Sequence, residues 1–272
     1  AEPVRAKGAL LFGEVGSGAT LGGGVSDYIL IPAAVKQLCG LELDREQAGS
    51  IKKTIFKARD ASRKQRLQIL QEQLTVLGLD QQVPLEPCLD AVEDIVIRPL
   101  GIALQGYAEA ALLGVETGVP VVFHHAAPSA AKILELAQQY QMPRTFVAAH
   151  SNHPSLSLQE CISYARDLRS NGVVIDISTL NSLNGWRQDA LDNTEVLVTE
   201  GLADTLSTDY GGGRWDGILT MLQFLWKRKK LTLPSAVAMA TGRVADRYPR
   251  AAAGRGYLRK GYIADLTLVD CQ

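Results

Sequence analysis

Four residues that can bind a metal or move a proton stand at or near the ends of short apolar runs. They are Glu14, His124, His150 and Asp209. Two imidazoles and a carboxylate match the ligand chemistry of a catalytic zinc or a similar divalent ion, and they leave one position open for water. The metal acidifies that water to a hydroxide nucleophile near neutral pH, and Asp209 would take its proton. A single buried histidine is usually a core residue, so this prediction depends on the four occurring together.

The apolar runs themselves predict a parallel sheet covered by helices, which is an α/β fold. Each run is continuous rather than alternating, as strands buried on both faces require, and helix-periodic sequence follows it. The runs are Ala9 to Phe12, Val119 to Phe123, Thr145 to Ala149, Val173 to Ile177 and Ala203 to Ser207. The expected helices are Ala103 to Thr117, Ser129 to Gln141, Ser157 to Asn171 and Trp215 to Lys229. Active sites of α/β sheets and (β/α)8 barrels lie at the carboxyl ends of the strands, so this topology brings the four residues together.

Two regions depart from the βα rhythm. The segment from about residue 41 to residue 98 has no convincing buried strand, and its basic, helix-favouring stretch Ile51 to Gly78 indicates an inserted helical subdomain. After the last helix ends near Tyr248, turn glycines and the β-type run Ala264 to Val269 predict a closing β segment.

Composition excludes several classes of protein. A chain of 272 residues with 46% hydrophobic residues is long enough for a substantial core, and its apolar runs are too short to cross a bilayer. The net charge of -1 provides no general attraction to nucleic acid or to an anionic membrane. The basic residues between Lys52 and Arg66 are interpreted as solvated surface. Four scattered cysteines without a CxxC pair favour a reducing, cytoplasmic location.

The other two histidines lie next to the predicted ligands. His125 follows His124 directly, and neighbouring strand residues face opposite sides, so we expect His125 to point away from the site. His153 lies three residues after His150, where it could contact substrate or orient a ligand.

The motifs around these residues resemble the amidohydrolase superfamily of metal-dependent hydrolases. The resemblance is carried by FGEVG around Glu14, VVFHH around His124, VAAHS around His150, LSTDYGGG around Asp209, Met239 to Gly242, and Lys260 to Leu266. It implies strands four to eight of a distorted (β/α)8 TIM-like barrel. It also implies that Glu14 bridges two metals, that His124 and His150 bind the second metal, and that Asp209 is both ligand and general base. Glu as the bridge is most similar to the enamidase-like branch, which opens cyclic amides.

One motif of that superfamily is missing. Its members begin with HxH at the end of strand one, and this sequence contains no HxH. The first three barrel strands also have no candidates. We therefore expect the C-terminal portion of a longer hydrolase, with a family member that has lost one metal site as the alternative. Residues 1–248 would form the partial barrel, with the helical insert at about 41–98, and residues 249–272 would belong to a small β domain.

The resemblance and the residues together predict a metal-dependent hydrolase. It would cleave a C–N bond of a small molecule, in particular a cyclic amide, by metal-bound hydroxide. The expected cofactor is one or two divalent ions, zinc or else iron or manganese, and the expected assembly is a homo-oligomer with no nucleic-acid or membrane partner. Two alternatives remain: a deaminase of the same superfamily, and a catalytically inactive barrel that serves as a binding or assembly subunit.

Overall fold

The computed structural model describes residues 8–16, 29–141, 145–179, 182–183, 188–209 and 217–270. The strands are β1 Phe12–Val15, β2 Val121–His124, β3 Phe146–Ala149, β4 Val174–Ser178 and β5 Thr205–Ser207. The first helices are α1 Ile31–Cys39, α2 Arg45–Lys57, α3 Arg63–Val76, α4 Leu85–Val96 and α5 Arg98–Thr117. The remaining helices are α6 Ala130–Tyr140, α7 Leu158–Ser170, α8 Gln188–Thr199, α9 Ile218–Lys227, α10 Leu233–Ala240 and α11 Gly242–Arg247.

The chain divides into two compact units. One comprises Ala1–Val15 and Glu109–Gln272, and the other comprises Gly16–Ala108. The first, which we call the sheet unit, holds all five strands. The second, which we call the helical unit, holds α1 to α4. None of the helices in the described residues is both long and apolar enough to cross a membrane.

The sheet unit confirms the α/β class. Its five strands pair in parallel in the order β1-β2-β3-β4-β5, so every strand lies beside the next one along the chain. Residues of β3 and β4 such as Val147, Ala148 and Ile175 are buried, which explains why these strands read as continuous apolar runs. The first run was misplaced, because β1 begins at Phe12 and includes Glu14, whereas the prediction ended at Phe12.

The helical unit contains the segment, from about residue 41 to residue 98, for which the sequence predicted no strand. Helix α2 begins with a capping box between Asp44 and Gln47, and α3 begins with one between Ser62 and Gln65. Buried apolar residues of four helices form its core: Ile31, Val35, Ile51, Ile55, Leu70, Leu74, Leu89 and Val92. The sequence predicted the helical character, although helical structure begins earlier than residue 41, with α1 at Ile31.

Two of the basic residues in this unit form ion pairs between α3 and α4. Arg66 Nε lies 2.6 Å from Glu93 Oε1, and these side chains are only 18% and 13% exposed. Arg63 Nη1 lies 2.6 Å from Asp90 Oδ1, but this pair is about half exposed. The burial of the first pair makes its loss more costly than the loss of the second.

We therefore expect Glu93→Gln to lower the free energy of unfolding of the helical unit by about 2 kcal/mol, because Arg66 would keep its charge without its partner. The matched variant Asp90→Asn should lower it far less, because water and salt screen this exposed pair. Hydrogen exchange of the Leu70 and Leu89 amides under denaturant measures both. Equal losses in the two variants would contradict this ranking.

Residues 264 to 269, predicted as the β-type run of a separate small β domain, form no strand in this structure. Leu266 and Leu268 are exposed. The tail is instead fixed further upstream, where the Ile263 main-chain N–H donates to the Gly254 oxygen over 2.7 Å. A strand needs a neighbouring ladder of hydrogen bonds, and apolar residues alone do not provide one.

Candidate metal centre

A bulge in β1 directs Glu14 toward the site. Phe12 pairs with Val121 and Val15 pairs with Phe123, so β1 has one residue more than β2 between these positions. Gly13 lies in the bulge with φ 136°, and a Cβ there would come 2.5 Å from the Val122 oxygen. Only glycine permits this close approach. Bulges re-aim side chains in this way beside functional sites.

Glu14 meets two histidines at the ends of the neighbouring strands. Glu14 Oε1 lies 3.1 Å from His124 Nδ1, at the end of β2, and 2.5 Å from His150 Nε2, just after β3. One ligand atom from each of the three residues lies within 4.8 Å of the other two. Such a group of two imidazoles and one carboxylate could hold a metal ion. The structure thus brings together three of the four predicted residues.

Burial and the contacts among these three residues shift their pKa values. Burial acts to raise the pKa of Glu14, but its hydrogen bonds with His124 and His150 outweigh burial and bring the pKa to about 2. Burial lowers the pKa of His124. Burial opposes the charged form of His150 too, yet its hydrogen bond to Glu14 and the nearby Asp209 raise its pKa. Glu14 is therefore an anion at neutral pH, which favours a cation beside it.

Asp209 lines the same cavity without joining the ligand group. The cavity has a volume of about 290 Å³, and Glu14, His150, Asp209 and Tyr248 all contribute to its wall. Burial is the main cause that raises the pKa of Asp209 above its ordinary value, and the nearby Glu14 adds to it. Its carboxylate is not among the ligand atoms within 4.8 Å of one another. The structure therefore places Asp209 beside the ligand group and not within it.

His150 and Asp209 share an uncommon backbone conformation. Their φ angles are 39° and 47°, in the left-handed region that residues other than glycine seldom adopt. Such conformations persist only where the surroundings hold them, and they concentrate at functional sites. Both residues follow strands of the sheet, which is where the sequence predicted functional side chains.

The remaining histidines occupy different environments. The ring of His153 lies 5.5 Å from those of His124 and His150, so this side chain is next to the ligand group, and its Nδ1 lies 2.7 Å from Ser155 Oγ. His125 is fully buried, and its Nδ1 lies 2.9 Å from Ser151 Oγ. His125 is not part of the ligand group, and its ring lies 6.3 Å from that of Tyr164 in α7. Burial lowers the pKa of His125 to about 3.

Sequence reasoning missed Asp176, which also lines the cavity. This residue lies within β4, and burial raises its pKa to about 6 despite hydrogen bonds from two hydroxyls. Because Asp176 lies inside the run Val173 to Ile177, the strand pattern does not distinguish it from its neighbours. The signal that could have identified it is a carboxylate in the middle of a strand buried on both faces, because such a group requires partners.

A larger cavity in the sheet unit contains none of the predicted residues. It has a volume of about 680 Å³, and four arginines line it, namely Arg169, Arg243, Arg247 and Arg255. Arg247 Nη2 lies 2.9 Å from Asp204 Oδ1, and Arg243 Nη1 donates to the Ala203 oxygen over 3.3 Å. These contacts secure the chain just before β5, so we assign them a structural role.

The cluster of Glu14, His124 and His150 is therefore the candidate functional site, with Asp209 and His153 beside it. Chemically, its two imidazoles and one carboxylate could hold a divalent cation. Compared with protein-family models, with curated proteins and with solved structures, the chain shows no match.

Proposed function

We propose that this chain is a metal-dependent hydrolase that cleaves the C–N bond of a small amide, in particular a cyclic amide. Glu14, His124 and His150 hold the divalent ion in this proposal. The observation that carries it is the convergence of three ligand atoms, one from each of three adjacent strand ends, within 4.8 Å of one another.

The donor set fits a metal better than it fits a structural ion pair. Glu14 is separated from His124 by 110 residues and from His150 by 136, so the contact arises from the fold rather than from local sequence. Burying a carboxylate together with two imidazoles is costly unless a cation compensates. Nitrogen and oxygen ligands in this proportion suit zinc, iron or manganese.

The sheet supports a barrel as the scaffold of the proposed site. Five parallel strands in sequential order match an arc of a (β/α)8 barrel, because a doubly wound sheet would reverse its strand order at a switch point. We infer that β1 to β5 correspond to strands four to eight of such a barrel. The ligands then stand at its carboxyl-terminal face, where barrel enzymes carry their active sites.

The chain's own residues supply acid and base chemistry in this site. A divalent metal there would polarise the amide carbonyl and make a bound water more acidic. Asp209 would accept a proton from the attacking water and deliver it to the leaving nitrogen, an exchange that amide cleavage requires. Burial makes its carboxylate more basic than an exposed one, which suits this task. His153, beside both ligand histidines, would contact the substrate.

The metal centre is tested by measuring Zn²⁺ and Mn²⁺ binding to the chain and to Glu14→Gln. We expect one ion for each chain, and an affinity at least about 100-fold weaker in Glu14→Gln, because the anionic ligand is lost. Glu195→Gln is the matched control, since the Glu14 and Glu195 side chains are 23% and 21% exposed. It should bind both ions within about twofold of the unchanged chain.

A chain that binds neither Zn²⁺, Mn²⁺ nor Fe²⁺ would refute the metal centre, and so would Glu14→Gln with unchanged affinity. The reaction products distinguish the proposed hydrolase from a deaminase. Ring opening of a cyclic amide supports the proposed hydrolase, whereas ammonia release from an intact ring would identify a deaminase. A chain that binds no metal would favour the inactive barrel that serves as a binding or assembly subunit.

A further inference from the structure

The chain turns at His150, and the residues that follow it remain bound to β4. Strand β3 ends at Ala149, and His150 has a φ of 39°. The next main-chain N–H, that of Ser151, donates to the Asp176 oxygen in β4 over 2.7 Å. Because residues other than glycine seldom adopt this left-handed conformation, contacts on either side of His150 must maintain it.

Asn152 continues the pairing with β4 through its side chain. Its Nδ2 donates to the Ser178 main-chain oxygen over 2.9 Å, and its Oδ1 accepts the Ser178 main-chain N–H over 3.0 Å. The carboxamide thus offers β4 the donor and the acceptor that the main chain of a neighbouring strand would otherwise provide. Asn152 and Ser178 are 1% and 2% exposed, so water cannot readily replace these two bonds.

Two hydroxyls complete the surroundings of this amide. The Asn152 Nδ2 also lies 3.0 Å from Ser182 Oγ and 2.8 Å from Thr194 Oγ1. Thr194 belongs to α8 and not to the sheet. Its contact can therefore be removed by substitution without altering the pairing of Asn152 with Ser178, which makes Thr194 a suitable control.

The ring of His150 depends on its main chain for its direction. Its Nε2 lies 2.5 Å from Glu14 Oε1, and among the described residues no hydrogen-bond partner contacts its buried Nδ1. In metal sites, the second ring nitrogen of a histidine usually donates to a nearby acceptor that fixes the ring. Here the turn after β3 and the packing of the His153 ring, 5.5 Å away, must serve that purpose.

We propose that Asn152 is a positioning residue for His150, an inference that rests on the proposed function. Its amide fixes the chain to β4 two residues after His150 and so maintains the left-handed turn that directs the imidazole toward Glu14. Relaxation of His150 to an ordinary φ would change the direction of its Cα–Cβ bond and withdraw Nε2 from Glu14. Asn152 thus acts on the metal centre through the main chain of a ligand.

The test compares Asn152→Ala, Asn152→Asp and the matched control Thr194→Val in the full 272-residue chain. Asn152→Ala removes both bonds with Ser178, Asn152→Asp keeps only the acceptor, and Thr194→Val keeps both. Co²⁺ binding, followed by its visible spectrum, should weaken about 10- to 100-fold in Asn152→Ala and less in Asn152→Asp, because supporting partners tune metal affinity by such factors. Thr194→Val should bind Co²⁺ almost as tightly as the unchanged chain.

Amide hydrogen exchange provides a second measurement that requires no metal. In Asn152→Ala, the amides of Ser151 and His153, which donate hydrogen bonds on either side of the substituted residue, should exchange at least about tenfold faster. The control is the Val121 amide, which donates to the Thr145 oxygen at the other end of β3 and should change far less. If Asn152→Ala does not fold, Asn152→Asp allows the same comparison.

Equal acceleration at all three amides would indicate a general loss of stability and overturn the inference. Unchanged exchange at Ser151 would overturn it too, and both results apply whether or not the chain binds metal. Unchanged Co²⁺ affinity in Asn152→Ala, or an equal loss of affinity in Thr194→Val, would overturn the inference while leaving the proposed function intact.

Discussion

Asp209→Asn is expected to lower kcat for amide hydrolysis about 100- to 10,000-fold, the range that general acid and base residues contribute. The side chain keeps its shape but can no longer accept a proton. Metal affinity should fall far less than in Glu14→Gln, because the Asp209 carboxylate lies outside the ligand group. This difference separates proton transfer from metal binding, two roles that the resemblance assigns to the same residue.

The dependence of kcat on pH provides a second test of the proposed role of Asp209. Asp209 acts as a base only when ionised, so kcat should rise with pH as its proton is lost. This dependence gives the pH profile an acidic limb. The limb should disappear in Asp209→Asn and persist in Asp192→Asn, which alters an exposed carboxylate. An Asp209→Asn enzyme with full kcat would remove Asp209 from the mechanism.

His125 is expected to make the sheet unit sensitive to acid. Burial lowers its pKa to about 3 in the folded chain, whereas an unfolded chain binds the proton below about 6.5. The unfolded state thus binds more protons in this window, so stability is lost as pH falls from about 6.5 toward 3. At about pH 4.5 the loss from this one residue amounts to about 3 kcal/mol.

The variant His125→Asn tests this expectation. Its amide can still bond to Ser151, but it does not titrate. We expect lower stability near neutral pH, where the ring's packing is lost, and a flatter decline between about pH 6.5 and pH 4.5. Urea unfolding followed by tryptophan fluorescence, with a chelator present, is a suitable measurement, since all three tryptophans belong to the sheet unit. The control His153→Asn should retain the steep decline, and an equally steep decline in His125→Asn would contradict the assignment.

Each strand or helix of this fold is predictable from the sequence to the extent that its hydrophobic residues follow a clear strand or helix pattern. Strands β2, β3 and β4 have continuous apolar runs, and the run Thr145 to Ala149 differs from its strand by a single residue. Helix α8 was missed, because its sequence QDALDNTEVLVT has few apolar residues at helical spacing. The strand predicted at Ala264 to Val269 does not form although its pattern is favourable, because a strand also requires a partner strand.

The part of the site that follows clear apolar runs was also predictable from the sequence. His124 and His150 follow clear apolar runs, and parallel topology then places them at one edge of the sheet. The orientation of Glu14 depends on a bulge, which sequence periodicity does not reveal. Asp176 was missed because its hydrogen-bond partners Ser207 and Ser151 lie on other segments of the chain, and pattern reasoning along one segment cannot recover such contacts.

The position of β1 has a consequence for the order in which the site assembles during folding. Glu14 must find His124 across 110 residues, whereas the contact of His125 with Ser151 spans only 26. For a flexible chain, closing the longer loop costs about 1 kcal/mol more in entropy. Distant contacts also form more slowly than near ones. The four strands β2 to β5 can therefore pair first, and the ligand group acquires its carboxylate only when β1 docks on the open edge.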